Sequence, residues 1–255
     1  MAIRKTPCYV LRKIPLRETS WILTCMTRNH GKVKGIVKGA RQEKSKWFSA
    51  CELFTQANMV FFEKTRNNLH LISELSVVRS HETLRSHLVS LAYSNYIAEL
   101  IDKLLEEGDP HPELFDLLGR TIRILEKNPD LAEMLVRVFE VKLLEGLGLM
   151  PRFSDCLECE STLEAKVYFN SAQGGVVCGD CFERFGQGFQ ISKGCLSALR
   201  FIMRTDLVSA IQVRLGIQIR KELEQVARQF IAFRIDQPIR SLKFISEVTP
   251  LISRK

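Results

Sequence analysis

Two pairs of cysteines restrict the fold of this chain more than any other feature of its sequence. They form Cys156-Leu-Glu-Cys159 and Cys178-Gly-Asp-Cys181, with eighteen residues between the pairs. Two residues between ligands let both thiolates of one pair reach the same ion at about 2.3 Å, and two such pairs complete a tetrahedron. The spacing therefore predicts that the segment between the pairs folds back as a hairpin, and that one zinc ion is bound by Cys156, Cys159, Cys178 and Cys181.

Four thiolates would leave no coordination position open for water, so we expect a structural ion that holds a segment too short to bury its own core. Disulfides are the alternative, but they require an oxidising compartment. The N-terminus, MAIRKTPCYVLRK, lacks the apolar stretch of a signal peptide, and we expect a cytoplasmic protein. A redox dithiol is disfavoured by the presence of two matched pairs. The remaining cysteines are predicted to be buried: Cys8, Cys25, Cys51 and Cys195.

The most basic part of the chain is residues 30–47, HGKVKGIVKGARQEKSKW. Its first half alternates, and successive side chains of a strand point to opposite faces. One face would then carry Lys32, Lys34, Ile36 and Lys38, and the other Val33, Gly35 and Val37. Such a strand can lie on a core and still present charge to a polyanion. Trp47 and Phe48 close the segment with rings on which bases could stack.

The positive charge is concentrated at one end of the chain. Residues 1–80 contain fifteen Lys or Arg and five Asp or Glu, whereas the remaining residues contain twenty-two basic and twenty-four acidic side chains. A single basic run is usually a solvated face. A basic domain on a nearly neutral body instead indicates that this domain binds an anion.

The first eighty residues have the composition of short strands separated by turns, predicted at 9–14, 20–27, 32–38, 54–64 and 69–77. Five such strands favour a small closed barrel, either an OB fold or an SH3-like barrel. From about residue 83 the apolar spacing becomes helical. Helices are predicted to about 107, from 113 to 127, from 131 to 146, at 193–203 and at 222–234. The last twenty residues show no clear period and are expected to pack loosely.

The predicted fold is therefore α+β, with a five-stranded OB-like barrel followed by a helical domain that contains an inserted four-cysteine zinc module. The expected organisation is an anion-binding OB-like barrel at 1–80, the first part of the helical domain at 81–152, the zinc module at 153–186 and the second helical part at 187–255. No apolar run is long enough for a membrane helix.

The sequence contains none of the usual catalytic motifs. A phosphate-binding G-x-x-x-x-G-K-[ST] loop, H-E-x-x-H and G-x-S-x-G are all absent, and the five histidines do not cluster at metal-ligand spacing. These observations predict a binding protein and not an enzyme.

The chain resembles the bacterial RecO family of recombination mediators over about residues 1–185. The motifs that carry the resemblance are spread along this range. They are Val10-Leu11-Arg12, Glu18-Thr19-Ser20, His30-Gly31-Lys32, Lys38-Gly39-Ala40-Arg41 with Ser45, Glu113-Leu114-Phe115, Phe139-Glu140, Leu143-Leu144, Leu147-Gly148, Pro151 and the cysteine quartet.

The resemblance implies a non-enzymatic role in the repair of DNA damage and in DNA recombination. RecO-like proteins have an N-terminal OB domain, bind single- and double-stranded DNA and anneal complementary strands. They act with RecR, and with RecF in the wider pathway. They contact the acidic C-terminal tail of single-stranded DNA-binding protein (SSB) and so help to load RecA. The implied location is the cytoplasm, at the nucleoid.

The DNA-binding residues follow from combining the basic segment with this resemblance. Lysine and arginine contact phosphates and aromatic rings stack on bases, in both cases without sequence preference. The predicted phosphate contacts are Lys32, Lys34, Lys38, Arg41, Lys44 and Lys46, extended by Arg4, Arg12 and Arg17. Trp47 is the candidate for stacking, with a core position at a strand end as its alternative. We expect Tyr9, Trp21 and Phe54 to lie in the core.

An SSB tail would require an apolar pocket beside a cation. Arg137, just before Phe139-Glu140, is the candidate cation, although it could equally be a solvated helix residue. An OB-fold RNA-binding protein, a zinc-dependent enzyme and a pure protein adaptor are the competing interpretations of the whole chain.

Overall fold

The computed structural model describes residues 2–42, 45–64, 69–163, 166–235 and 237–252. The chain forms two compact units, one made of residues 1–132 with 239–255 and the other of residues 133–238. Among the helices that the described residues form, none is long and apolar enough to cross a membrane.

The first unit begins with a closed barrel of five strands. Around the barrel their order is β1-β2-β3-β5-β4, and β3 pairs with β5 in parallel. A simple meander would instead place β4 beside β3. The order is that of an OB-like barrel, and the predicted α+β fold class is confirmed. The strands are β1 Ala2–Leu16, β2 Ser20–Thr27, β3 Lys32–Val37, β4 Gln56–Glu63 and β5 Leu69–Arg79.

The apolar face of β3 lies in the barrel core, as its alternation predicted. Val33, Gly35 and Val37 are buried. The strand ends at Val37, one residue earlier than expected, because Gly39 has a φ of 70° and belongs to a turn. Lys38 therefore leaves the strand and does not share a face with the other lysines of β3.

The predicted core residues of the barrel are only partly confirmed. Tyr9 and Phe54 are buried, whereas Trp21 is half-buried and packs at the edge of the core. The four cysteines outside the quartet are all buried, as expected. Burial raises the pKa of the Cys51 thiol to about 12.

Three helices follow the barrel within the first unit: α1 Glu82–Ser86, α2 Leu88–Leu104 and α3 Pro112–Lys127. The sequence predicted one helix where α1 and α2 now stand. The break falls at His87, which has extended backbone angles. Pro112 stands in the first turn of α3, where its missing N–H costs no hydrogen bond.

The second unit combines helices with a three-stranded sheet of order β7-β6-β8. The hairpin expected between the cysteine pairs is confirmed, since Val167 pairs with Cys178 across β6 and β7. The elements are α4 Ala132–Gly146, β6 Val167–Asn170, β7 Gly175–Cys178, α5 Gly179–Phe185, β8 Phe189–Ile191, α6 Lys193–Arg204, α7 Leu207–Ile211 and α8 Ile217–Arg234.

The chain then returns to the first unit with α9, Ser241–Ile252. The expectation of loose packing at the C-terminus was wrong for this segment. The Glu99 carboxylate on α2 accepts hydrogen bonds from the backbone N–H groups of Arg240 and Ser241, at 3.0 and 2.8 Å. Ile245 and Val248 are buried. The carboxylate caps the start of α9, and the two apolar side chains anchor the helix.

The division of the chain into a barrel, two helical parts and a zinc module, at the boundaries expected from the sequence, stays a prediction.

Candidate functional sites

The two lysines of β3 are neutralised by acidic groups at the end of α2 and just beyond it. Lys32 is only 7% exposed. Its Nζ lies 3.3 Å from Oδ1 of Asp102 and also donates to the Asp102 carbonyl. Lys34 forms an ion pair with Glu107. The alternation placed Lys32 on an outward face, but the structure buries it, because the segment after α2 covers that face.

The backbone of β3 is bound to the same segment. The N–H of Gly108 donates to the carbonyl of Lys32 over 3.1 Å. Gly31 has a φ of 61°, and a Cβ at this position would collide with the backbone of Asp109. Only glycine fits here, so the close approach of the segment to β3 is built into the sequence.

The other predicted phosphate contacts fall into three classes. Arg12 is mostly exposed, but its Nη1 lies 3.8 Å from Oδ2 of Asp102. Arg4 forms an ion pair with Glu63. Exposed side chains without an acidic partner among the described residues are Arg17, Lys38, Arg41 and Lys46. Lys44 lies outside the described residues.

Trp47 is half-buried and packs against the barrel core. The Nζ of Lys46 lies 4.5 Å from the centre of its ring. Half-burial and packing on the core suit a core residue at a strand end, but Trp21 shares both features, so they do not decide between the two interpretations of Trp47.

A second tryptophan stands beside two cations, the exposed Arg41 and the half-buried Lys13, whose Nζ lies 2.7 Å from Oε1 of Glu52. The Nζ of Lys13 and the Cζ of Arg41 lie 5.3 and 5.2 Å from the ring centre of Trp21. Arg41 is held in place because its guanidinium donates to the carbonyl of Arg17. Lys38 directly follows Val37, the β3 partner of Trp21. We name this surface the Trp21 patch and define it as Lys13, Arg17, Trp21, Lys38 and Arg41.

The Trp21 patch is built by two turns at one end of the barrel. The β1–β2 hairpin carries Arg17 in its turn, with Leu16 opposite Ser20. The turn after β3 lies beside it, since the N–H of Arg41 donates to the carbonyl of Thr19 over 2.9 Å. Sequence reasoning identified Lys38 and Arg41 but assigned Trp21 to the core. The register of the hairpin, which decides what flanks Trp21, has no clear signal in a single sequence.

The four cysteines of the quartet come together as their spacing predicted. Their Sγ atoms all lie within 4.8 Å of one another, and those of Cys159 and Cys178 are 3.8 Å apart. Ligands at 2.3 Å in a tetrahedral site stand about 3.8 Å from each other. The N–H of Cys178 also points at Sγ of Cys156, at 3.4 Å. The donor set therefore fits one thiophilic ion.

Within the quartet, the pKa values of Cys159 and Cys181 are shifted in opposite directions. Hydrogen bonds from the Ser161 hydroxyl and N–H lower the pKa of Cys159 to about 6. Hydrogen bonding to Cys159, together with burial, raises the pKa of Cys181. Four thiolates this close would repel one another strongly, so the thiols share protons. A divalent cation would replace those protons and ionise all four sulfur atoms.

The surroundings of the quartet contain few apolar side chains. Tyr168 and Phe182 stack with ring centres 3.7 Å apart, and Val177 is buried beside the cysteines. A core of this size stabilises a fold only weakly without a cross-link.

Arg137 on α4 lies at the wall of an apolar pocket and is only 5% exposed. It is not the solvated helix residue of the alternative interpretation. Its Nη1 lies 2.8 Å from Oε2 of Glu140, which is fully buried. The pocket encloses only ≈ 20 Å³. It is lined by Val141, Leu144, Met150, Pro151, Phe153, Leu199, Leu223, Val226, Ala227 and Phe230.

Comparison with known proteins agrees with this arrangement. Residues 1–81 match the family model described as Recombination protein O N terminal, and residues 85–243 match Recombination protein O C terminal. The DNA repair protein RecO of Pelotomaculum thermopropionicum is 30% identical over 245 residues, which cover 96% of this chain and 94% of the relative. RecO of Anaeromyxobacter dehalogenans is 30% identical over 244 residues, covering 95% and 96%. RecO of Alkaliphilus metalliredigens is 28% identical over 233 residues, covering 91% and 94%. The barrel is OB-like, the helical part contains a four-cysteine cluster, and the matches extend along almost the whole chain. The chain therefore belongs to the RecO family of DNA repair proteins.

Proposed function

We propose that this protein is a non-enzymatic recombination mediator that binds single- and double-stranded DNA and anneals complementary strands. The observation that carries the proposal is the Trp21 patch on the OB-like barrel. Around its half-exposed ring stand Lys13, which is paired with Glu52, and Arg17, Lys38 and Arg41, which have no acidic partner among the described residues. We further propose that residues 1–80 act as the DNA-binding domain, and that the protein acts in the cytoplasm at the nucleoid.

The chemistry of the Trp21 patch suits DNA of any sequence. Its cations can contact phosphates and release condensed counterions. The Trp21 ring offers an apolar surface for a base. Lys46 extends the set of free cations. Arg12, Lys32, Lys34 and Lys44 were also predicted as DNA contacts, and the acidic partners of the first three support a weaker role for them.

Strand annealing requires that the protein neutralise two phosphate backbones without making or breaking a covalent bond. Contacts that depend on charge and stacking leave the pairing edges of the bases free. This is the physical reason to expect annealing, and not sequence-specific recognition, from the Trp21 patch.

The assay that tests the proposal is annealing of two complementary oligonucleotides by the full-length protein, with and without SSB. We expect faster annealing than the oligonucleotides show alone, and slower annealing after replacement of Lys38 and Arg41 by Ala. Affinity should be compared for single-stranded DNA, duplex DNA and structured RNA at one salt concentration. Tighter binding to RNA together with no annealing would replace the proposal with the OB-fold RNA-binding alternative.

Partners are proposed on the strength of family membership. We propose action with RecR and the RecF pathway, contact with the SSB tail, and assistance in loading RecA. For the SSB tail, the Arg137 pocket supplies an apolar wall and a cation, the two elements that an acidic peptide ending in a hydrophobic residue needs. Because the pocket is small and Arg137 is paired with Glu140, binding would require the two side chains to separate. Loss of tail-peptide binding in Arg137→Glu supports this site if urea unfolding shows that the second unit stays folded beside the buried Glu140. Unchanged binding removes it.

We propose that the quartet binds one structural zinc ion. When bound, the ion would cross-link the two cysteine pairs and fix the β6–β7 hairpin. Purified protein should contain one equivalent of zinc, and Cys156→Ser should lower both the zinc content and the stability of the second unit to proteolysis. Metal-free protein with unchanged proteolytic stability would contradict this assignment.

A further inference from the structure

A second recess in the second unit is separate from the Arg137 pocket. It encloses ≈ 220 Å³ and is open at the surface, where the ring of Phe201 is 43% exposed. Apart from Phe201, its wall is made of aliphatic side chains, methionine, Gly194 and Ser197. We name it the α6 groove and define it by its lining: Met134, Gly194, Ser197, Ala198, Phe201, Ile202, Val213 and Leu215.

The exposed face of α6 runs along this groove with a cation near each end. Lys193, Ser197, Phe201 and Arg204 are all exposed. Their spacing of four, four and three residues places them in one stripe on the helix. Lys193 and Arg204 are separated by about 16 Å along the helix axis at 1.5 Å per residue. An occupant of the groove would thus meet a positive charge at each end of an apolar surface.

The cations around the groove are free, whereas the acids near it are engaged. Within the described part of the chain, the side chains of Lys193, Arg204 and Arg214 make no hydrogen bond or ion pair. Glu133 lies 3.4 Å from Arg220. Asp206 caps α7 through the N–H groups of Val208 and Ser209, and Glu222 accepts from the N–H and hydroxyl of Ser192. These carboxylates keep their negative charge, so the four cations Lys193, Arg204, Arg214 and Arg220 exceed the three acids by one. The border of the groove is therefore weakly positive, and its free charges are cations.

We infer that the α6 groove binds an acidic amphipathic segment of a partner protein, with apolar residues in the middle and carboxylates at both ends. Charge complementarity selects an acidic occupant, and the aliphatic wall selects apolar side chains over nucleic-acid bases. The α6 groove differs from the Arg137 pocket in having roughly ten times the enclosed volume and two separated free cations. It suits an internal peptide segment that is anchored at both ends.

The test is selection from a random peptide-display library against the full-length protein, with counter-selection against Phe201→Glu. Selected peptides should carry Asp or Glu on both sides of apolar positions. A synthetic peptide of the selected sequence should lose about tenfold in affinity with Phe201→Glu, as expected for a central anchor. It should lose about threefold with Arg204→Glu and bind more weakly at high salt. Arg184→Glu, which reverses an exposed cation on α5 outside the lining of the groove, should leave its affinity unchanged.

Four results would overturn the inference. Peptides without acidic residues, or with equal affinity for wild type and Phe201→Glu, would show that the groove selects nothing. A change in sedimentation of Phe201→Glu without peptide would assign the groove to self-association. Reduced DNA affinity in Arg204→Glu would assign it to DNA. The Lys193→Glu and Arg204→Glu variants alter exposed side chains, so the test stands even if Phe201→Glu fails to fold.

Discussion

The lysines of β3 and the exposed cations of the Trp21 patch come from the same basic part of the chain, yet they occupy opposite electrostatic situations. Lys32 and Lys34 face Asp102 and Glu107 within the chain. Lys38 and Arg41 have no acidic partner among the described residues. A charge read from the sequence is available to DNA only if the fold leaves it unpaired. This contrast divides the predicted phosphate contacts into structural and functional ones.

The largest effect that we expect is on the stability of the protein when a β3 lysine loses its ion pair. Lys32→Ala should reduce the free energy of unfolding by about 2 kcal/mol, because it removes a buried ammonium from the partly buried Asp102. Arg12 near the same carboxylate limits the loss. Urea unfolding measures the change, with Lys34→Ala as the matched control. Lys34 is far more exposed, so its loss should cost less than about 0.5 kcal/mol. Equal effects of the two variants would show that burial does not separate the pairs.

The next effect is on DNA affinity. Replacing Lys38 and Arg41 together by Ala should weaken binding to single-stranded DNA about tenfold at moderate salt, through the loss of two phosphate contacts. The loss should be the same for all DNA sequences. Fluorescence anisotropy with oligonucleotides of different composition measures it, and the urea midpoint should stay close to that of wild type. Sequence-dependent losses would point to base contacts instead.

A smaller effect distinguishes the two tryptophans. Trp21→Leu keeps apolar volume at the barrel edge but removes the flat ring, and we expect about a fivefold loss of affinity for single-stranded DNA. Trp47→Leu should leave this affinity within about twofold, since one cation, Lys46, lies at the Trp47 ring, whereas Lys13 and Arg41 both lie at the Trp21 ring. Trp21→Phe should restore most of the lost affinity. A larger loss of affinity in Trp47→Leu than in Trp21→Leu would assign the stacking role to Trp47.

Local patterns were sufficient to predict several parts of the fold. The alternation of residues 32–37 placed Val33 and Val37 in the core, and the cysteine spacing predicted both the hairpin and the cluster. These features depend on residues that are close in sequence, or on ligand geometry that admits few arrangements. The main error in the fold was α9, whose first turn is capped by Glu99 more than 140 residues away.

The candidate site was harder to predict, because the decisive contacts are long-range. Lys32 and Asp102 are seventy residues apart, and nothing in the alternating segment shows that an acidic stretch will cover it. The surroundings of Trp21 depend on the register of the β1–β2 hairpin and on the turn that carries Arg41. Arg137 was identified as a candidate, but its burial beside Glu140 follows from the packing of the second unit and not from helix spacing.

The most direct test of the difference between paired and unpaired cations is a salt titration of single-stranded DNA binding. It compares two double variants that lose the same charge. Wild type, if it contacts about four phosphates, should show a slope near −3 of log K against log salt. Lys38→Ala with Arg41→Ala should flatten the slope by about 1.4, since each phosphate contact contributes about 0.7. Arg12→Ala with Lys34→Ala should leave the slope near the wild-type value. A flattened slope in the second variant, with an unchanged slope in the first, would place the DNA on β3 and contradict the assignment to the Trp21 patch.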